Sequence, residues 1–404
     1  MNIQSQPNSI EPDTLPTPTK PLMSERRVSL IGALLVAIGP ISMALFTPAM
    51  PQIVHDFSST EATVKLTVSL YFAGFALAQL VCGPLSDGFG RKPVIMAFMG
   101  IYLVATIVAL AAPNIEVLIA ARFLQGIGAS VGVATSRAIV RDLYVGESSA
   151  RIMNLIGLIL GLGPAFAPTI GGLTMELFGW HAIFGLMVLF GIAVILICQY
   201  ALKETVTRDL SRIRIRALIS SYGKLFGSGY FLACGIMLGG SVGVFYTLAV
   251  VLPFIMMNHV GLSPTQFGAS MLMQSGAFFF GALTVRLAIR RYGAYGLLIP
   301  GLIFIMTGSL AMAVLLRLFE PTFWTVMGPI SLFAYGASFI IPAMSTASLA
   351  PFPQIAGAAS ALSGFMQLGG GLIGGIIASL FANPVTALAT VVPGLGLITL
   401  LSYI

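Results

Sequence analysis

Arg122 lies inside an apolar run, Leu118-Ile119-Ala120-Ala121-Arg122-Phe123-Leu124-Gln125-Gly126-Ile127-Gly128-Ala129. It is about seven residues from the start of its segment, hence roughly 10 Å in at the helical rise per residue. A permanent cation at that depth is costly in lipid, so it faces the protein interior beside some partner. Either it carries a moving part of a mechanism or it is a packing arginine held by carbonyls of neighbouring helices. A second constellation, Gly83-Pro84-Leu85-Ser86-Asp87-Gly88-Phe89-Gly90-Arg91-Lys92-Pro93, holds an acid and two bases in a short glycine-bent hairpin. At a membrane edge such an ion pair is less screened than in water. A third run, residues 157–172, sets Pro164 and Pro168 four apart among Gly157, Gly161, Gly163, Gly171 and Gly172. Prolines so spaced remove backbone bonds on one face and bend a helix, while the glycines admit a closely packed neighbour. The residues of enzymatic chemistry do not cluster: His55, His181 and His259 fall in separate loops, and Cys82, Cys198 and Cys234 are scattered without CxxC spacing. No metal site, cofactor or nucleophile pair is indicated.

The elements that must position these residues follow from composition. Of 404 residues, 57% are apolar and 8% charged, too little polar surface to cover a soluble globule of this size. About 20 apolar residues span a bilayer as helix, and backbone groups there must be satisfied internally. Apolar runs occur at residues 28–50, 61–85, 93–112, 115–140, 150–173 and 182–202, and again at 229–257, 265–288, 295–316, 322–349, 355–381 and 385–404. The expected fold is therefore an all-α polytopic membrane protein with 12 transmembrane helices. It divides into a disordered cytoplasmic tail (1–27), a six-helix bundle (28–202), a basic cytoplasmic linker (203–227) and a second six-helix bundle (228–404). The tail lacks the basic start and short apolar core of a signal peptide, and the last run reaches Ile404 without a basic flank.

Lysine and arginine collect on the cytoplasmic side of membrane proteins. With the N-terminus inside, 17 of the 20 fall at cytoplasmic ends or loops; Lys65 and Arg317 fall outside, and Arg122 within a span. The net charge of +7 thus reports orientation, with both termini cytoplasmic, rather than a nucleic-acid partner. Weak self-similarity supports two parallel halves. Ser58 with Glu61 and Ser263 with Gln266 repeat a helix-capping pattern before the second and eighth spans. Gly161, Gly171 and Gly172 stand over Gly364, Gly374 and Gly375 at one offset.

The hairpin at 83–92 resembles the signature loop of the major facilitator superfamily, G-x-L-x-D-x-x-G-R followed by Arg or Lys, at every specified position. The resemblance implies a latch closing the cytoplasmic side, formed by Gly83, Asp87, Gly90, Arg91 and Lys92, with Asp87 and Arg91 as the charged pair. The second half keeps Arg286, Arg290 and Arg291 but has Val285 where the acid would align, so latching should be lopsided. Arg122, Gln125 and Gly126 are similar to the superfamily's span-four motif, and the proline–glycine run at 157–172 to its antiporter motif in drug exporters. With Pro48-Ala49-Met50-Pro51 and Arg141-Asp142-Leu143-Tyr144, the chain looks most like the Bcr/CflA-type drug-resistance transporters. One departure is Ala44, where members of that group often carry Asp.

The resemblance implies a multi-pass protein of the bacterial inner membrane, working as a monomer on a small-molecule substrate. The expected cavity lies between the halves near the midplane, lined by Met43, Phe46, Phe245, Tyr246 and Tyr335, with Gln367 and the Arg122 charge also at suitable depth. No acid falls in the middle of a span, so protons as the coupling ion are in doubt, or are carried by Asp87 or an acid near the outer mouth. Such a pocket suits neutral or anionic amphipathic molecules better than dications. Export of drugs or toxic metabolites is the first functional reading. Import or exchange of a metabolite or siderophore on the same fold is the second, and a membrane enzyme or receptor the third.

Overall fold

The computed structural model describes residues 22–213 and 215–404; the side chains at 158–162, 164, 212 and 215 lie outside that description, as do residues 1–21 of the tail expected over 1–27, whose last residues, Glu25–Arg27, already belong to the first helix. Eleven of the described helices are long and apolar enough to cross a membrane. In chain order we number them together with the 33-residue helix Gly146–Phe178, which occupies the place of the fifth expected span and brings the number to twelve. The first six are α1 Glu25–Asp56, α2 Glu61–Phe89, α3 Arg91–Leu110, α4 Ile115–Leu143, α5 Gly146–Phe178 and α6 Trp180–Ala201. The second six are α7 Gly229–His259, α8 Pro264–Gly296, α9 Leu298–Leu318, α10 Phe323–Leu349, α11 Pro353–Ser379 and α12 Pro384–Leu401.

Several ends differ from those read off the apolar runs, for local reasons. The first span runs on to Asp56 through a single tight turn at Thr47–Ala49, because Pro48 and Pro51 sit in first-turn positions where no amide hydrogen is needed. Before α2 the cap is Thr60, whose side chain accepts from the Thr63 amide. The expected cap Ser58 instead takes a positive φ of 47° in the turn ahead of Thr60, two residues before the cap position. Before α8 the Ser263–Gln266 capping box forms in both directions. The linker, read as a polar stretch, contains the helix Ile215–Phe226.

The packing repeats. In the first half α1 lies against α4, α5 and α6, α2 against α4, and α3 against α4 and α6. In the second half α7 lies against α10, α11 and α12, α8 against α10, and α9 against α10 and α12. Each pairing thus recurs six helices later, as two copies of one bundle demand. Between the halves α2 runs along α11 and α5 along α8, so the two crossings exchange when the halves are exchanged. Glycines open these seams: a Cβ at Gly172 of α5 would fall on the Pro264 carbonyl of α8, and one at Gly375 of α11 would press on Ser69 of α2. Lipid offers no hydrophobic drive for helix association, so backbone approach at small residues carries the contact.

Candidate functional site

Arg122 is fully buried within the first bundle. Its guanidinium lies between two ring faces, 4.5 Å from the Phe46 centroid and 4.3 Å from that of Tyr71. One η-nitrogen donates to Gln125 Oε1, and Gln125 Nε2 passes the chain on to Thr106 Oγ1 at 2.8 Å. The other η-nitrogen and Nε have no partner among the described residues. Among the described residues no carboxylate compensates the charge. Its stabilisation rests on the two π faces, a cation–π arrangement that gains most when desolvated, and on one amide. Gly126 makes this possible, since a Cβ there would strike the Tyr71 carbonyl and push α2, with its ring, off α4. Tyr71 in turn is fixed by donating to the Gly39 carbonyl of α1 at 2.9 Å. Arg122 and Phe46 do not line the space between the halves, contrary to the depth argument: depth along a helix does not say toward which neighbour a side chain turns.

At the end of the bundle that carries the 83–92 hairpin, which we call the basic end, Arg91 is nearly buried. It donates to Asp87 and to Ser86 Oγ (2.7 Å), and grips Asp142 at the end of α4 through Nε at 3.0 Å and Nη2 at 3.5 Å. Asp142 also accepts from Thr205 of the linker at 2.9 Å. The Glu204 carboxylate receives the free Arg91 and Lys92 amides at 2.8 and 3.1 Å, capping α3 where unsatisfied N–H groups and the helix dipole favour an anion. Gly90, at φ 103°, is the turn that allows it, and a Cβ there would meet that carboxylate. Lys92 Nζ donates to the Gln199 carbonyl of α6 at 2.6 Å, and Gly83 lines the space beside the hairpin. Sequence reasoning named Asp87 and missed Asp142 and Glu204. Only the Arg-Asp-Leu-Tyr run after span four flagged Asp142, and for a different reason. Because Asp142 is 20% exposed and Asp87 51%, we expect Asp142→Asn to slow turnover more than Asp87→Asn. Loss of its charge-assisted bonds should cost about 2 kcal/mol. Single-turnover and equilibrium-binding measurements should place the effect on cycling and leave substrate affinity unchanged.

Between the halves lies a chamber of about 420 Å³. Met43, Phe245, Tyr246 and Gln367 line it, joined by Gln274, Phe278 and Ala44. Tyr335 does not reach it: its hydroxyl donates to Thr284 of α8 at 2.9 Å and its ring packs 4.8 Å from Phe304 of α9. No charged side chain is among the lining residues. Toward the basic end the chamber adjoins a second cavity, a neck of about 130 Å³, that shares Met43, Tyr246 and Gln367 with it and adds Gln79 and Arg137. The neck shares Gln79 and Arg137 with a vestibule of about 210 Å³ that holds the hairpin. At the opposite end the halves are joined. Lys65, 1% exposed, sits 5.1 Å from the Phe254 ring of α7 and 3.4 Å from Glu61, which accepts from Asn258 at 3.4 Å. Glu176 of α5 receives the Thr265 amide of α8 at 3.0 Å. These outer contacts were not foreseen; position and charge alone marked Lys65 only as a residue on the outer side.

A family model for the Major Facilitator Superfamily matches residues 32–395. The chain belongs to the major facilitator superfamily. Members are transporters, not enzymes, and this multi-pass membrane protein is one of them. Among similar proteins are multidrug resistance protein D of Escherichia coli (strain K12), 29% identical over 94% of this chain and 96% of that protein, and the MFS-type transporter YdgK of Bacillus subtilis (strain 168), 31% identical over 89% of each. Multidrug resistance protein MdtL of Shigella dysenteriae is 27% identical over 83% of this chain and 84% of its own length. The fold is shared with a bacterial homolog of the human lysosomal transporter Spinster (TM-score 0.70, 15% identity, 94% of this chain and 95% of that one). It is also shared with the human organic anion transporter MFSD10 (TM-score 0.65, 18% identity, 94% and 99%).

In this major facilitator, the proline–glycine run of α5 is distributed over three environments. Gly157 and Pro168 line the chamber. Gly171 abuts the Leu45 carbonyl of α1, Gly172 meets α8, and Gly163 faces Ile41. Gly161 and Pro164 lie outside the positions described in full. One helix thus touches the chamber, α1 and the opposite half.

Proposed function

We propose that the protein exports small amphipathic compounds across a bacterial cytoplasmic membrane by alternating access, as a monomer, with the basic end and both chain ends in the cytoplasm. The orientation rests on the 17 lysines and arginines assigned to that side. The observation that carries the function is the uncharged chamber of aromatic, methionine and amide side chains, adjoined by cavities that follow one another toward the basic end, while paired residues join the halves at the other. An amphipath entering from the cytoplasm would find apolar surface for its body and amide groups for its polar atoms. The names of the Escherichia coli and Shigella relatives agree with this reading. The two bundles, residues 28–202 and 228–404, would rock about the chamber, with Arg91 latching the inner end and the α5–α8 seam closing the outer.

Ala44 lines the chamber where Bcr/CflA-type transporters often place Asp. A driving proton would therefore bind outside it, at Asp87 or at the outer acids Glu61 and Glu176. The test is uptake of a neutral phenicol-like compound into everted membrane vesicles, with and without an imposed pH gradient. Accumulation in everted vesicles is expected. Accumulation in right-side-out vesicles instead would replace export with import or exchange on the same fold.

A further inference from the structure

The charge distribution around the neck is one-sided. Arg137 of α4 lines both the neck and the vestibule, and its guanidinium makes no hydrogen bond or ion pair with any described residue. Arg141, one turn further along α4, lines the vestibule and is likewise without a partner among them. Both carboxylates of the vestibule, Asp87 and Asp142, are already bound to Arg91. No carboxylate lines the neck or the chamber. Beside Arg137 stands Gln79, 7% exposed, whose amide makes no hydrogen bond with any described residue, so its Nε2 is free to donate. The opposite wall leaves room for it, because a Cβ at Gly364 would collide with that amide group. Gln367 faces both neck and chamber.

We infer that the neck is an anion-binding subsite, in which Arg137, with Gln79 and Gln367, takes the carboxylate or equivalent acidic head of an amphipath whose apolar body occupies the chamber. The inference rests on the export reading and narrows its substrates to amphipathic weak acids. A guanidinium presents paired N–H groups matched to two carboxylate oxygens, and an amide contributes a further donor. The low-dielectric walls of the neck strengthen the attraction relative to water. A cationic amphipath would meet an unopposed guanidinium in the same place and be repelled, which makes the subsite a device of discrimination as well as affinity. Arg141 extends the positive field into the vestibule and draws anions toward the neck without contacting the bound head.

The experiment uses the full-length protein in nanodiscs and three probes with one fluorescent body: dansylglycine (anionic), its methyl ester (neutral) and dansylcadaverine (cationic), each corrected against empty nanodiscs. The wild-type protein is expected to bind the acid more tightly than the ester, and the cation most weakly. Arg137→Gln should weaken the acid by on the order of tenfold, as for one lost charge-assisted pair, and leave the ester unchanged. Arg137→Lys should retain part of the difference, and Arg141→Gln should lower the acid's association rate more than its affinity. Unchanged ester binding and elution volume certify that each variant is folded. Equal loss of acid and ester in Arg137→Gln, or no preference for the acid in the wild type, overturns the subsite. Direction of transport is read separately in everted vesicles: acid binding that depends on Arg137 together with inward accumulation would remove the export reading and leave the subsite standing.

Discussion

Arg122→Met is expected to stop transport while leaving the folded bundle as stable as before, or more so. Among the described residues the guanidinium has two unpartnered nitrogens and no counter-ion, and is held by the faces of Phe46 and Tyr71 and by Gln125. Two cation–π contacts contribute about 2 kcal/mol each when desolvated. Against them stands the cost of burying an uncompensated charge, several kcal/mol, which an apolar side chain of similar volume removes. The balance of stability therefore favours Met or is neutral. For a residue that does so little for stability at so high a cost in charge burial, a role in the transport cycle is the expectation. The rings that hold Arg122 come from α1 and α2, and it sits on α4. Any sliding of these helices during rocking changes how well the charge is covered. We expect transport to fall by about 100-fold, about 2.7 kcal/mol in the rate-limiting barrier, with thermal unfolding in detergent unchanged or raised. Normal transport by a stable Arg122→Met variant would make Arg122 a packing residue.

Gly172→Val and Gly268→Val should each hold the outer end open. A Cβ at Gly172 would fall on the Pro264 carbonyl, and one at Gly268 on the Pro168 carbonyl. These obstacles are backbone, not side-chain tips that could swing away. Closing the outer seam over a valine would force α5 and α8 apart, with an overpacking cost of about 1–3 kcal/mol. Two conformations of a transporter differ by only a few kcal/mol, so such a cost moves the equilibrium by roughly 5- to 150-fold. The readout is Met43→Cys, a chamber position, in a background with Cys82, Cys198 and Cys234 replaced. Labelling by a membrane-impermeant thiol reagent added outside should accelerate in both valine variants, and transport should fall with it. Unchanged labelling with normal transport would show that the α5–α8 seam does not close the outer path.

The two predictions depend on different kinds of information. The first began as a sequence reading, because a lone arginine among Leu118, Ile119, Phe123 and Leu124 is conspicuous. Its partners were not legible, since Phe46 and Tyr71 lie 76 and 51 positions away in the chain. The second began as repeated glycines at one offset. That they face opposite halves, Gly172 toward α8 and Gly375 toward α2, needed coordinates. The hairpin shows the same division: Asp87 and Arg91 stand four apart, whereas Asp142 and Glu204 reach Arg91 only through the fold.

What the chain's order of residues determined by itself is the solvent, the number of spans and the likeness to a family. Lipid imposes its demand segment by segment, so roughly 20 consecutive apolar residues declare a crossing without reference to any other part of the chain. Rotation about each helix axis was left to the tertiary structure. Lipid is as apolar as a helix interface, so a nearly uniform helix carries no stripe to mark its inner face. That is why Phe46 and Tyr335, at the right depth, turned away from the chamber, while Gln274 and Arg137 turned toward the space between the halves.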